Sequence, residues 1–153
     1  MNLKKLLNII LPILFISLAL LSVLSFNCIE TIKGETQEIK NIESIRGTSQ
    51  RIIKFELELQ PNDALIRELD DTLFELIEKE NLIKTNNPDF NDKVKQLNDM
   101  WTELKNEINN VRTGADGKKL FDISENYYEL SDETIFIARQ NFDKLLTNLI
   151  LYF

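Results

Sequence analysis

The chain has 153 residues, a formal net charge of −7, and shares of 43% hydrophobic and 28% charged residues. That length holds one domain plus a targeting or membrane segment, and the apolar share is too high for a disordered chain. The acidic balance disfavours nucleic acid as a partner, and no histidine plus a single cysteine, Cys28, removes the usual general base and metal ligands.

No enzyme chemistry, metal or cofactor is therefore expected. The acidic cluster Glu68, Asp70, Asp71 and Glu75 reads as a solvated helix face, because no oxygen-ligand loop of the EF-hand kind accompanies it. Only four glycines and three prolines punctuate the chain, which predicts an all-α protein of long helices.

Residues 1–5 form a short basic end with Lys4 and Lys5. Residues 6–26 are then free of charge, and as a helix they span about 31 Å, enough to cross a bilayer core. Glu30, Glu35 and Glu38 follow, so the lysines predict a cytoplasmic amino end and an extracytoplasmic domain over residues 27–153. A cleaved signal peptide would have a shorter apolar core and small residues at the cut, which Val23-Leu24-Ser25 does not supply. A lipoprotein would need small residues directly before Cys28, and Phe26-Asn27 are not small. An uncleaved single-pass anchor in the cell membrane fits best.

Beyond the anchor the apolar pattern is helical. Ile39, Ile42, Ile45, Ser49, Ile52 and Leu59, widened by Ile53 and Leu57, place a first helix over 29–59. Pro61 breaks it, and Asn62 or Asp63 can cap a second helix over 63–84. This one carries Leu65, Ile66, Leu69, Leu73, Leu76, Ile77 and Ile83, and ends in the breaker cluster Thr85 to Asp89. A third helix, 89–112, has Phe90, Val94, Leu97, Trp101, Leu104, Ile108 and Val111 in steps of four and three, a coiled-coil-like seam with Trp101 in the core. After Gly114 and Gly117, a fourth helix over 118–151 presents Leu120, Ile123, Tyr127, Leu130, Ile137, Ala138, Phe142, Leu145 and Leu149. Short connections between such helices predict an up-down-up-down antiparallel four-helix bundle. The second and third helices are shorter than the first, so their shared turn is expected roughly 10–15 Å above the bilayer. The fourth should return to the membrane surface, where Leu149 to Phe153 look like the threshold of a second span.

One stretch of the first helix stands apart: Ile45-Arg46-Gly47-Thr48-Ser49-Gln50-Arg51-Ile52-Ile53-Lys54. Arginine suits oxyanion recognition because its planar fork is always charged and can bind in two-toothed fashion. Arg46 and Arg51 lie five positions apart and point roughly 140° away from each other, so one helix cannot aim both at one ligand. Gly47 costs up to about 1 kcal/mol inside a helix, and close approach of a second helix would explain it. Ser49 is a small polar residue within the stripe, a place that sets register or admits water. In the bland alternative, Arg46 and Arg51 are surface residues paired with Glu43 and Glu58.

Arg46, Ser49 and Arg51 match an Arg-x-x-Ser-x-Arg box, and the whole stretch resembles the first sensor helix of bacterial membrane receptors. The relevant groups are the nitrate/nitrite sensor kinases, the type IV pilus methyl-accepting transducers and, closer still, sensor regions of clostridial-type histidine kinases and diguanylate cyclases. Trp101 to Lys105 and Ser124 to Leu130 look like later landmarks of the last group. Where the nitrate sensors have Asn and Gly, this chain has Lys40 and Glu43, and Glu43 is close enough along the helix to pair with Arg46.

The resemblance implies a membrane-anchored sensory domain that binds a small anionic ligand through Arg46, Ser49, Gln50 and Arg51, as a homodimer joined by the first helix. Such receptors continue into a second span and a kinase, cyclase or adaptor output. The sequence contains none, so a truncated or stand-alone form working through a separate output protein is expected. The alternative is a membrane-tethered helical module that binds another protein and no small molecule.

Overall fold

In the computed structural model, the described backbone covers residues 3–82 and 87–151, with side chains over 7–78 and 87–149. The expectations for Ile83, Thr85, Asn86, the end of the second helix at 84, the side chains of Lys4 and Lys5, and the terminal residues 152–153 lie outside it. Within it the chain is all-helical, with four helices: α1 (Leu3–Leu57), α2 (Asp63–Leu82), α3 (Pro88–Arg112) and α4 (Lys118–Leu151).

The apolar run and the helix expected over 29–59 form one uninterrupted 55-residue helix that contains Pro12. Its amino-terminal part is apolar and bare: Phe15 is 65% exposed and Ile16 61%. By length and composition this helix can cross a membrane, with a mean hydropathy of 2.7 in its most apolar window. Exposed side chains of this kind need an apolar solvent or a partner to cover them.

Each remaining helix begins where its cap chemistry directs. The Asn62 side-chain oxygen accepts from the amides of Ala64 and Leu65 at 3.2 and 3.3 Å. Asn87 caps α3 by accepting from Asp89 and Phe90, with Pro88 in the first turn. Asp116 accepts from the Lys118 amide at 3.0 Å. Helix α3 ends in a Schellman turn: Ala115 N–H donates to the Asn110 carbonyl and Gly114 N–H to Val111, with Gly114 at φ +104°.

The same turn ends α1, but here Leu59 occupies the left-handed position at φ 58°. Gln60 N–H donates to Phe55 O and Leu59 N–H to Glu56 O. This corrects the expectation that α1 reaches 59 with Leu59 on its buried stripe. The helix ends at Leu57, its last four-residue hydrogen bond running from Glu58 N–H to the Lys54 carbonyl, and the turn throws Leu59 outward to 81% exposure. Leu57 is likewise 41% exposed.

All four helices share one core. All seven residues of the α3 seam are buried, and Trp101 is 1% exposed. They meet Ile42, Ile45, Ile52 and Ile53 of α1, Leu65, Leu69, Leu73 and Leu76 of α2, and Leu120, Ile123, Tyr127 and Leu130 of α4. The lower half of α4 differs from expectation. Ser131, Thr134 and Ile135 are buried there with Ala138, whereas Ile137, Phe142, Leu145 and Leu149 are half-buried. Ser131 and Thr134 fit inside because each hydroxyl donates to the carbonyl four residues back, at 2.7 Å, which satisfies it within its own helix. Helix α1 packs against α4 and α2, and α3 packs against α4 and α2. Cross-helix pairs run in opposite chain order: Glu43 with Arg139 and Arg46 with Asp132, Asp63 with Arg112 and Asp70 with Lys105.

Candidate functional site

The arginine box divides between three environments. Ser49 is 3% exposed, turned into the core, and its hydroxyl donates to the Arg46 carbonyl at 2.9 Å. Arg51 is exposed, and no carboxylate among the described residues pairs with it. Arg46 and Gln50, one helical turn apart, both face the seam between α1 and α4. Arg46 and Arg51 thus lie in different environments, and the structure does not bring the four residues together around one point.

In the seam, one guanidinium nitrogen of Arg46 donates to Asp132 Oδ1, and its carbon lies 5.4 Å from the centre of the Tyr128 ring. Tyr128 and Asp132 are themselves one turn apart on α4, so a single face of that helix supplies both contacts. The Arg46 side chain is 33% exposed and that of Asp132 46%. Glu43, expected to pair with Arg46, instead accepts from Arg139 Nη2 at 2.7 Å. Packing explains the exchange: with α4 alongside, both residues find opposite charges across the seam. Nor does Glu58 reach Arg51, because the nearest cation to it is Lys54, at 3.9 Å.

One turn further from the apolar run, the seam widens into a groove of about 410 Å³. Ile53, Leu57 and Phe121 supply its apolar surface, and Gln50, Lys54, Glu58, Ser124 and Glu125 its polar rim. Phe121 is 51% exposed, which leaves apolar surface open to solvent. Gly47 belongs to the same stretch, and a Cβ built there meets no atom within 4 Å. Its helix face is thus open within this chain, and no neighbouring element requires the glycine.

At the far end of the helices lies a second charged cluster. Glu56, only 2% exposed, accepts from Arg112 Nε at 2.9 Å and from Nη2 at 2.5 Å. Arg112 also pairs with Asp63 at 2.8 Å, and Glu56 with Asp63 pushes its pKa further above the ordinary guanidinium range. Beside it, Glu107 accepts from Lys119 at 2.8 Å and Asn110 at 3.0 Å, and these two hydrogen bonds hold its carboxyl below the usual range. Near the apolar run, burial acts the other way and raises the Glu35 carboxyl. Asp70, expected on a solvated face, accepts from Trp101 Nε1 and Lys105 Nζ, both at 2.7 Å, and so anchors the core tryptophan. The Tyr127 hydroxyl, buried near Trp101, has no hydrogen-bond partner among the described residues, and its burial raises its pKa.

The box alone does not name Tyr128, Asp132, Arg139 or Phe121. A signal for them does exist. Phe121, Glu125, Tyr128, Asp132 and Arg139 recur on α4 at steps of three, four and seven, opposite to its apolar stripe. Ser124, Glu125 and Tyr128 also fall within the stretch singled out as a landmark of the sensor regions. Protein-family models, curated proteins and solved structures yield no match to this chain.

Proposed function

We propose that this chain is the membrane-anchored, extracytoplasmic sensory domain of a bacterial signal-transduction receptor, and that it binds a small anionic ligand at the α1/α4 seam. The observation that carries the reading is the position of Arg46. It is a part-exposed guanidinium in a seam between two helices, one turn from an open groove of about 410 Å³. Arginine in such a place can offer two parallel donors to an oxyanion.

Several features support the surrounding picture. The opposite order of the cross-helix pairs and the short connections fit an up-down-up-down antiparallel four-helix bundle. The continuous α1 fits an anchor that passes directly into the sensor, with the lysine-bearing end cytoplasmic and a single pass. The open face at Gly47 fits a homodimer joined through α1. In that arrangement a second copy would lie beside the seam and could complete the ligand's surroundings.

The test is a thermal-shift series on the full chain in detergent micelles with a panel of small anions at constant ionic strength. The reading predicts that at least one anion raises the melting temperature and that Arg46→Ala removes the rise. A second reading, a tethered module that binds another protein, draws on Phe74 and Phe136, which are 64% and 62% exposed. An anion panel without any effect would favour it.

A further inference from the structure

We infer that Asp132 is the internal occupant of the Arg46 site: a carboxylate that an incoming anion must displace, and that thereby sets the affinity and selectivity of the seam. The inference rests on the anion-binding reading of Arg46 and adds a residue that the arginine box does not contain.

Three observations carry it. First, the contact is long-range, joining α1 to α4 across 86 positions, so it reports how the helices pack and not a local helical pairing. Second, the contact is one-pronged. A single guanidinium nitrogen meets a single carboxylate oxygen, although the group can offer two parallel donors to one acceptor. A planar oxyanion that takes both donors makes a better partner than Asp132 does. Third, no other carboxylate holds Arg46 among the described residues, because Glu43 is engaged by Arg139. Removing Asp132 alone therefore frees the site. With both side chains more than a quarter exposed, water and small ions reach the pair, so exchange needs no opening of the core. Tyr128 lies 5.4 Å from the guanidinium carbon and would keep that group in the seam while its acceptor changes.

The geometry also gives a selectivity. A planar oxyanion such as nitrate or acetate offers each of the two donors its own oxygen, whereas chloride must share one centre between them and gains less over Asp132. Displacement would release a charge pair that ties α1 to α4 along the seam and leave Glu43–Arg139 in place.

The test is calorimetric titration of the full chain in detergent micelles, with sodium nitrate and sodium acetate replacing chloride at constant ionic strength. Asp132→Asn should bind roughly two- to fivefold more tightly than the parent chain, the range expected when a part-exposed ion pair no longer competes. Arg46→Gln should abolish binding, and adding Asp132→Asn to it should restore none, which a general loosening of the helices would not reproduce. Asp132→Ala should move affinity in the same direction as Asp132→Asn. If the parent chain binds through Arg46 but Asp132→Asn binds equally or more weakly, the displacement idea is wrong and the anion site stands. If neither chain binds either anion, both fall together.

Discussion

Two arginines at similar exposure sit in opposite situations. Arg112 is 28% exposed and Arg46 33%, yet Arg112 grips Glu56, of which 2% is exposed, while Arg46 meets Asp132, of which 46% is exposed. Arg112 uses two of its donors on that buried carboxylate and one of them again on Asp63, tying the end of α1 to the start of α2 and the end of α3. Arg46 makes one contact with a carboxylate that water can reach. The distal cluster is a structural clamp whose acceptor cannot leave without exposing the core. The seam holds a cation whose acceptor is open to water, as the proposed anion site requires. An arginine's own exposure does not separate a buried ion pair from an accessible one; the burial of its partner does.

The clamp is where breakage should cost most. Arg112→Ala strands Glu56 in a buried position, and the loss should be about 3 kcal/mol of unfolding free energy, read by chemical denaturation of the detergent-solubilised chain. Arg46→Ala should cost less than about 1 kcal/mol in the same assay, because Asp132 simply regains water. If the two losses were equal, the distinction between clamp and seam would fail.

Next in size is the turn that leads into the clamp. Leu59 holds a left-handed backbone in the position usually given to glycine, at a cost of about 1 kcal/mol. Leu59→Gly should recover much of that strain, since the side chain is 81% exposed and gives up little packing. A higher melting temperature would show it.

The smallest effect separates the two ends by pH. Glu107 has a lowered folded pKa, so its contribution to stability is present above the ordinary carboxylate value, about 4.5, and is lost as pH falls through the folded value. Glu35 has a raised folded pKa, so its ionised form opposes folding at neutral pH, and protonation relieves this as pH falls. Glu107→Gln should therefore flatten the acid limb of the stability curve. Glu35→Gln should stabilise at pH 7 and have no such benefit at acid pH.

How much of this was legible beforehand depended on period. The α3 seam from Phe90 to Val111 was readable in full, because steps of three and four mark one buried face of a helix. The starts of α2 and α3 were readable from Asn62 and the breaker cluster that holds Asn87, whose side chains cap by local chemistry, and that of α4 from the glycines of the turn before it. The Arg46–Asp132 and Glu43–Arg139 pairings were not: the period of α4 sets Asp132 and Arg139 on one face, but nothing local says which α1 residue each meets across 86 or 96 positions. Leu59 misled for a related reason: it fits an apolar stripe by spacing, and its left-handed backbone is the choice of the turn, not of the residue. Ser131 and Thr134 were passed over as polar, although their hydroxyls are satisfied within α4 and cost nothing to bury.

The most direct measurement of the central claim sets the two arginines side by side. The full chain, Arg46→Ala and Arg112→Lys are melted in detergent with and without the most effective small anion from the panel. The account predicts an anion-dependent rise in the parent chain and in Arg112→Lys, and none in Arg46→Ala. A rise that survives in Arg46→Ala would contradict it.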